Sequence, residues 1–239
     1  NQHGFMKDRS CQTNLIAFYD EVSKKLDSGD AVDIIYLDFA KAFDTVPHKR
    51  LLSKLRSIGL SEAAASWFSS YLSNRSFSVA LASKFSTPVQ LSVGVPQRSV
   101  LGPLLFSLYI LSLGDLISSF GLKYYLFADD IQTYLDYTAL TSDVQTQIAN
   151  CLLAISSWMN QCHLKLNLAK TELVVFSPKA SPYPPFTITI DGMTINPVNS
   201  ACFLGVVFDQ SHPFSNHINN TAKTCHFFLH NIARYAPFF

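Results

Sequence analysis

Two adjacent aspartates, Asp129 and Asp130, lie between two short aromatic and aliphatic runs. Tyr124-Tyr125-Leu126-Phe127 precedes them, and Ile131-Gln132-Thr133-Tyr134-Leu135 follows after them. Such runs suit strands that are half or fully buried, whereas Asp is disfavoured inside strands and favoured at turns. The stretch predicts a tight hairpin with both carboxylates at its tip. Two carboxylates side by side on an apolar platform repel one another. A divalent cation is the usual partner that offsets such a cost. A solvated acidic turn fits the same local description, so the remainder of the chain has to separate the two.

The chain has 239 residues, enough for one large domain or two small ones, and is 48% hydrophobic. Only 15% of it is charged, against about 25% in ordinary globular chains, so much of it is expected to be buried or to face a partner. The net charge of +1 carries no global signature of nucleic-acid binding, although it leaves room for a local basic groove. Cys11, Cys151, Cys162, Cys202 and Cys225 are odd in number and form no C-x-x-C pair. Reduced, intracellular thiols fit better than a disulfide framework. Cys225, His226 and His230 could be read as a zinc site, but a histidine-bearing helix is the favoured reading. No signal peptide opens the chain, and the start at Asn1 rather than Met leads us to expect a fragment of something longer. The most apolar run, 100–113, falls short of a membrane span and contains Gly102 and Pro103, so it is expected to be a buried helix with no membrane segment.

In order along the chain, residues 13–26 predict an amphipathic helix with Leu15, Tyr19, Val22 and Leu26 on one face. Residues 32–38 predict a central strand ending in Asp38. Pro47 opens a helix with Leu51, Leu52, Leu55 and Ile58 as its stripe, and residues 61–72 form another whose Trp67, Phe68 and Tyr71 belong to the core. Residues 77–81 and 89–93 predict a strand pair around a polar loop. Gly94-Val95-Pro96-Gln97-Arg98-Ser99 then leads into a single apolar helix reaching about residue 119, whose start can hold a phosphate. Residues 143–159 are helical, 172–176 a strand, 177–185 a proline-rich loop, and 186–195 a hairpin turned by Asp191-Gly192. Residues 201–208 predict one more strand, containing Gly205, and 215–235 a final helix.

If the strand ending in Asp38 neighbours the acidic hairpin, three carboxylates converge above one sheet. Two Mg²⁺ ions held that way can clamp an in-line attack on phosphorus. Lys41 or Lys170 could then offset charge on a departing pyrophosphate.

The motifs Tyr36-Leu37-Asp38-Phe39-Ala40-Lys41-Ala42-Phe43-Asp44, Gly94-Val95-Pro96-Gln97, Phe127-Ala128-Asp129-Asp130, Leu166-Asn167-x-x-Lys170-Thr171 and Phe203-Leu204-Gly205-Val206 occur in that order. Together they resemble a reverse transcriptase, and more narrowly the LINE-type (non-LTR), jockey-like retrotransposon enzymes. Gln2-His3-Gly4-Phe5, Arg9-Ser10 and the helix from Trp67 to Arg75 also fit, so the resemblance runs over essentially the whole chain. It implies an α+β right-hand polymerase palm: an antiparallel sheet with helices packed on one face, partial fingers and the start of a thumb. The expected divisions are 1–31 (end of the fingers), 32–176 (palm with part of the fingers) and 177–239 (primer grip and start of the thumb).

The resemblance implies an RNA-directed DNA polymerase with two Mg²⁺ ions. Asp38 and Asp129 would hold the metals, with Asp130 in support and the Phe39 carbonyl completing a shell. Ala42 and Phe43 would meet the incoming nucleotide, with Phe43 excluding a 2′-hydroxyl. Gln97 and Arg98 would lie against nucleotide and template. Lys170 would serve as general acid, and Phe203, Leu204 and Gly205 would grip the primer. The partners implied are an RNA template, a DNA primer or target and deoxynucleoside triphosphates, and for an active element the nucleus. Oligomeric state is not implied.

Two departures from the family pattern stand out. Arg98 replaces the glycine normally found after the Pro-Gln pair, adding bulk where close backbone approach is expected. Most of the fingers, the remainder of the thumb and an endonuclease are expected outside this chain. A degenerate or domesticated relic that binds nucleic acid without polymerising is therefore the alternative. A non-catalytic binding module comes next, and another metal-dependent hydrolase is distant.

Overall fold

Strand β1 (Ala31–Leu37) is buried at every position, and the fold follows from that. A strand can be apolar on both sides only if both faces of its sheet are covered. In the computed structural model, which describes residues 2–177, 187–190, 192–210 and 214–235, β1 lies inside a four-stranded antiparallel sheet. Its neighbours are β6 (Lys123–Phe127), β7 (Asp130–Tyr137) and β8 (Glu172–Phe176), in the order β6-β7-β1-β8. This is the α+β palm expected.

Side chains of β1 alternate between two cores. Ile35 and Leu37 join the larger one, with Leu51 and Leu55 of α3 (His48–Ser57), Leu105 and Phe106 of α5 (Leu101–Tyr109), Ile117 of α6 (Ser112–Ser119) and Ile148, Leu152 and Ile155 of α7 (Ser142–Gln161). Val32, Ile34 and Tyr36 point the other way, where Phe18 and Val22 of α1 (Cys11–Asp27) meet Ala201 and Phe203 of β11 (Ser200–Phe203) and Phe208 of β12 (Val206–Asp209). Helices cover one face as expected, and α1 with the β11–β12 hairpin covers the second.

The remaining elements are α2 (Ala42–Thr45), α4 (Glu62–Leu72), four two-residue strands β2 (Ser76–Phe77), β3 (Ala80–Leu81), β4 (Lys84–Phe85) and β5 (Val89–Gln90), the hairpin β9 (Ile188–Ile190) with β10 (Met193–Ile195), and α8 (Ser215–Tyr235). Leu101–Ser119 is long and apolar enough to cross a membrane by length and composition. Here its Leu105, Phe106, Ile110, Leu113 and Ile117 are buried in the palm core. That stretch is two helices rather than one. At the junction Leu113 N donates to Ile110 O, three residues back, and the tightened turn interrupts the α pattern.

Other expectations are corrected by packing. The buried stripe of α1 is Asn14, Phe18 and Val22, with Leu15, Tyr19 and Leu26 only partly covered. Trp67 is 55% exposed and stacks on Tyr71 instead of entering the core, and Ile58 also faces solvent. The single strand pair expected over 77–93 is two nested pairs, β2 with β5 and β3 with β4. Ala82 takes the left-handed turn position at φ +52°, where neither glycine nor asparagine advertised a turn. The strand expected over 201–208 is instead the β11–β12 hairpin, turned at Leu204 and Gly205, both with positive φ. The loop expected over 177–185 lies outside the described residues from 178 on, as do Phe186 and Asp191 of the expected 186–195 hairpin. Cys225, His226 and His230 lie on α8, the histidine-bearing helix.

Candidate active site

The register of the sheet assembles the acidic residues. Leu37 pairs with Ile131, so Asp38, one residue past β1, lies opposite Asp130 at the start of β7. Phe127 pairs with Asp130 across the β6–β7 hairpin, leaving Ala128 and Asp129 as the two turn residues. Ala128 is buried and holds φ +57°, a backbone conformation that costs an L-residue about 1–2 kcal/mol. The strands expected to be neighbours are therefore hydrogen-bonded neighbours, and the hairpin tip lies at the end of β1 that carries Asp38.

A third strand end joins them. Phe39 bridges Leu166, Asn167 N donates to Asp38 O at 2.8 Å, and Asn167 Nδ2 donates to Asp38 Oδ2 at 3.3 Å. A 3₁₀ turn over Leu168–Lys170 then brings Lys170 Nζ within 3.0 Å of Asp38 Oδ2. Asp38, Asp130 and Lys170 line one cavity of about 380 Å³ together with Tyr36, Glu172 and Phe203. Phe203, at the β11–β12 turn, packs on the Tyr36 ring at 5.2 Å. The sequence pattern had assigned no role to Asn167 or Glu172, although Asn167 lies inside the quoted Leu-Asn-x-x-Lys motif.

Charge in this cavity is unbalanced. Burial, and then the charges of Asp129 and Asp38, push the Asp130 carboxyl up to about 6, while Lys170 opposes the rise. Asp129 is also raised, first by burial, with Asp38 adding to it and its own backbone hydrogen bond and Lys170 resisting. Hydrogen bonding to Asp38 raises Lys170 and keeps it protonated. Two carboxyls held above their ordinary range beside the oxygens of Asp38 match the chemistry of a hard cation. Among the described residues, however, no three His, Cys, Asp or Glu side chains are already grouped to hold an ion. Lys170 occupies Asp38 instead. Mg²⁺ needs no all-protein cage, because it is ordinarily held by one or two carboxylates with water and substrate phosphates filling the shell.

A second wall adjoins the first. Ala42 is buried at the start of α2, after Lys41 in a left-handed turn. Phe39 and Phe43 pack on Phe106 at 5.7 and 4.7 Å, and Phe43 remains partly exposed. The Gly94 loop is stitched to this segment. Val95 N donates to Phe43 O, Gly94 N to Val46 O, and His48 Nε2 lies 2.7 Å from Gly94 O. The loop carries Gln97, whose Nε2 donates to Asp44 Oδ1 at 2.6 Å, an anchoring partner that the motif alone did not reveal. Arg98 is exposed at φ +58°, so it occupies a left-handed position of the kind glycine favours, with its side chain in solvent. Gln97 lies four residues before α5 rather than at its start.

Residues 1–208 match the family described as reverse transcriptase (RNA-dependent DNA polymerase). Over 92% of its length the chain is 30% identical to a probable RNA-directed DNA polymerase from transposon X-element of Drosophila melanogaster, covering 24% of that protein. It is 27% identical over 92% of its length to the RNA-directed DNA polymerase from mobile element jockey of Drosophila funebris, again covering 24%. The chain spans about a quarter of the length of these curated relatives. Among solved structures, an apo telomerase from Candida tropicalis aligns over 82% of this chain and 37% of its own, with a TM-score of 0.58 at 12% identity, a likeness of fold.

Proposed function

The chain belongs to the reverse transcriptase (RNA-dependent DNA polymerase) family, among the jockey-like, non-LTR retrotransposon enzymes, and on that basis we propose that its palm carries out metal-assisted nucleotidyl transfer on an RNA template. The observation that carries this reading is the meeting of Asp38, Asp129, Asp130 and Lys170 at one end of one sheet. Asp38 and Asp129, supported by Asp130 and the Phe39 carbonyl, would hold Mg²⁺. The ions supply Lewis-acid stabilisation of charge at phosphorus.

In the reaction a primer 3′-hydroxyl oxygen bonds to the α-phosphorus of a deoxynucleoside triphosphate. The bond to pyrophosphate breaks, and the hydroxyl proton passes to solvent water. Lys170, held protonated beside Asp38, can give a proton to the leaving pyrophosphate. Phe43, seated on Phe106, would press against the sugar of the nucleotide, and Gln97, anchored by Asp44, would meet nucleotide and template. The Phe203-Leu204-Gly205 turn, whose Phe203 lines the same cavity as Asp38 and Lys170, would grip the primer end.

Primer extension on an RNA template tests the reading. Extension is expected to require Mg²⁺ and to disappear in Asp129→Asn. Undiminished extension in that variant would remove the acidic turn from the mechanism.

A further inference from the structure

The segment Gln2-His3-Gly4-Phe5 is absorbed by none of the roles above, yet it lies directly on the acidic hairpin. Gln2 forms a parallel bridge with Leu126, and His3 N donates to Leu126 O at 2.8 Å. The Gln2 side-chain carbonyl accepts from Ala128 N at 3.2 Å and from Gly4 N at 2.8 Å. Gly4 presses so closely that a Cβ there would fall 2.5 Å from Ala128 N, and Phe5 meets the Phe127 ring. His3 is fixed in turn by Thr13 Oγ1 at 3.1 Å and Arg9 Nη1 at 2.7 Å.

These contacts converge on the one residue of the hairpin turn whose backbone is unfavourable. Ala128 holds φ +57° without being glycine, and its carbonyl leads straight into Asp129. A turn in that conformation relaxes unless its surroundings hold it. The single acceptor that satisfies its N–H within the described hydrogen bonds is Gln2 Oε1, 126 positions away in sequence. We propose that Gln2 is a positioning residue. Its side-chain carbonyl locks Ala128 in the left-handed conformation and thereby sets the aim of Asp129 and Asp130. The consequence for catalysis rests on the polymerase reading, whereas the lock itself does not.

Gln2→Met keeps the length of the side chain and removes the acceptor. Hydrogen exchange of the Ala128 amide is expected to quicken tenfold or more, with the thermal midpoint unchanged. Mn²⁺ affinity, followed by electron paramagnetic resonance, should weaken severalfold, and primer extension should slow at least tenfold. Adding Ala128→Gly, which adopts the turn conformation without strain, should restore Mn²⁺ affinity and extension, whereas the residue-128 amide, still without its acceptor, continues to exchange quickly. Parental exchange and Mn²⁺ affinity in Gln2→Met would overturn the proposal, as would a double variant whose Mn²⁺ affinity stays weakened. If the parent extends no primer, exchange and Mn²⁺ affinity still decide, so failure of the polymerase reading is distinguishable from failure of the lock. Should Gln2→Met not fold, Gln2→Glu retains an acceptor and must show parental exchange at Ala128; quickened exchange there refutes the lock.

Discussion

Asp33 lies in the middle of β1, fully buried on the face that carries Ile35 and Leu37. Tyr137 Oη donates to its Oδ1 at 2.9 Å, and its Oδ2 is buried without a hydrogen bond. Burial pushes this acid up to about 7, against 3.8 for an ordinary aspartate, and the tyrosine hydrogen bond only moderates the rise. The folded chain therefore keeps the Asp33 proton to about pH 7, while the unfolded chain releases it near pH 4. Between those limits the folded state binds more protons, so stability falls as pH rises. The loss is about 1.4 kcal/mol per pH unit, or about 3 kcal/mol between pH 5 and pH 8.

Asp33→Asn does not titrate. Whatever constant cost or gain the amide brings, roughly 1–3 kcal/mol if its N–H₂ stays unpaired, cancels when variant and parent are compared at two pH values. Urea unfolding of both proteins at pH 5 and pH 8 is the assay. Relative to the parent, the variant should gain about 3 kcal/mol on going from pH 5 to pH 8. An unchanged difference would show that Asp33 is not held as a neutral acid and that the charge balance of β1 has been misread.

Gly94→Ala should destabilise the protein by about 2 kcal/mol, because φ is +92° and the new Cβ would lie 2.9 Å from Asp44 O. Urea midpoints measure it, and a neutral result would mean the loop is free to shift off α2. Arg98→Gly relieves a left-handed arginine, a gain of about 1–2 kcal/mol, less the roughly 0.5–1 kcal/mol entropic cost of glycine. A small net stabilisation and faster primer extension are expected, and a slower enzyme would show that the guanidinium contributes a contact. Lys170→Met should lower the extension rate about a hundredfold or more with little change in the thermal midpoint, since Lys170 is largely exposed. An unaffected rate would remove it as proton donor.

Local chemistry made much of this molecule readable. The run 32–38 is apolar at almost every position, which only a doubly covered central strand tolerates, and the structure has it buried throughout. Adjacent aspartates between two β-prone runs announced a hairpin because carboxylates belong at turns. Elements whose boundaries are set by distant contacts were less legible. Trp67 carried every mark of a core residue, but it lies on the open side of α4, and solvent rather than composition decides that. The turns at Ala82 and Leu204 have no glycine or asparagine at their first left-handed position, so the usual signal was missing: Ala82 was read only as part of a polar loop, and a strand was read through Leu204.

For the site itself, the sequence by itself determined which groups were available: Asp38, Asp129 and Asp130 at strand ends, Lys170 after a turn, and a Gly-x-Pro-Gln loop. The tertiary structure alone decided that they meet. Asp38 faces Asp130 only because β1 pairs with β7 in the register that joins Leu37 to Ile131, and a slip of one residue would turn every side chain to the other face. Likewise, only folding brings Asp44 to Gln97, Asn167 to Asp38 and Gln2 to Ala128. These pairs are 53, 129 and 126 positions apart, so no local pattern can encode them. The acidic pair that constrained the fold from the outset thus joins the last turn residue, Asp129, to the first residue of β7, Asp130; its identity is local chemistry, and its aim is set by segments far along the chain.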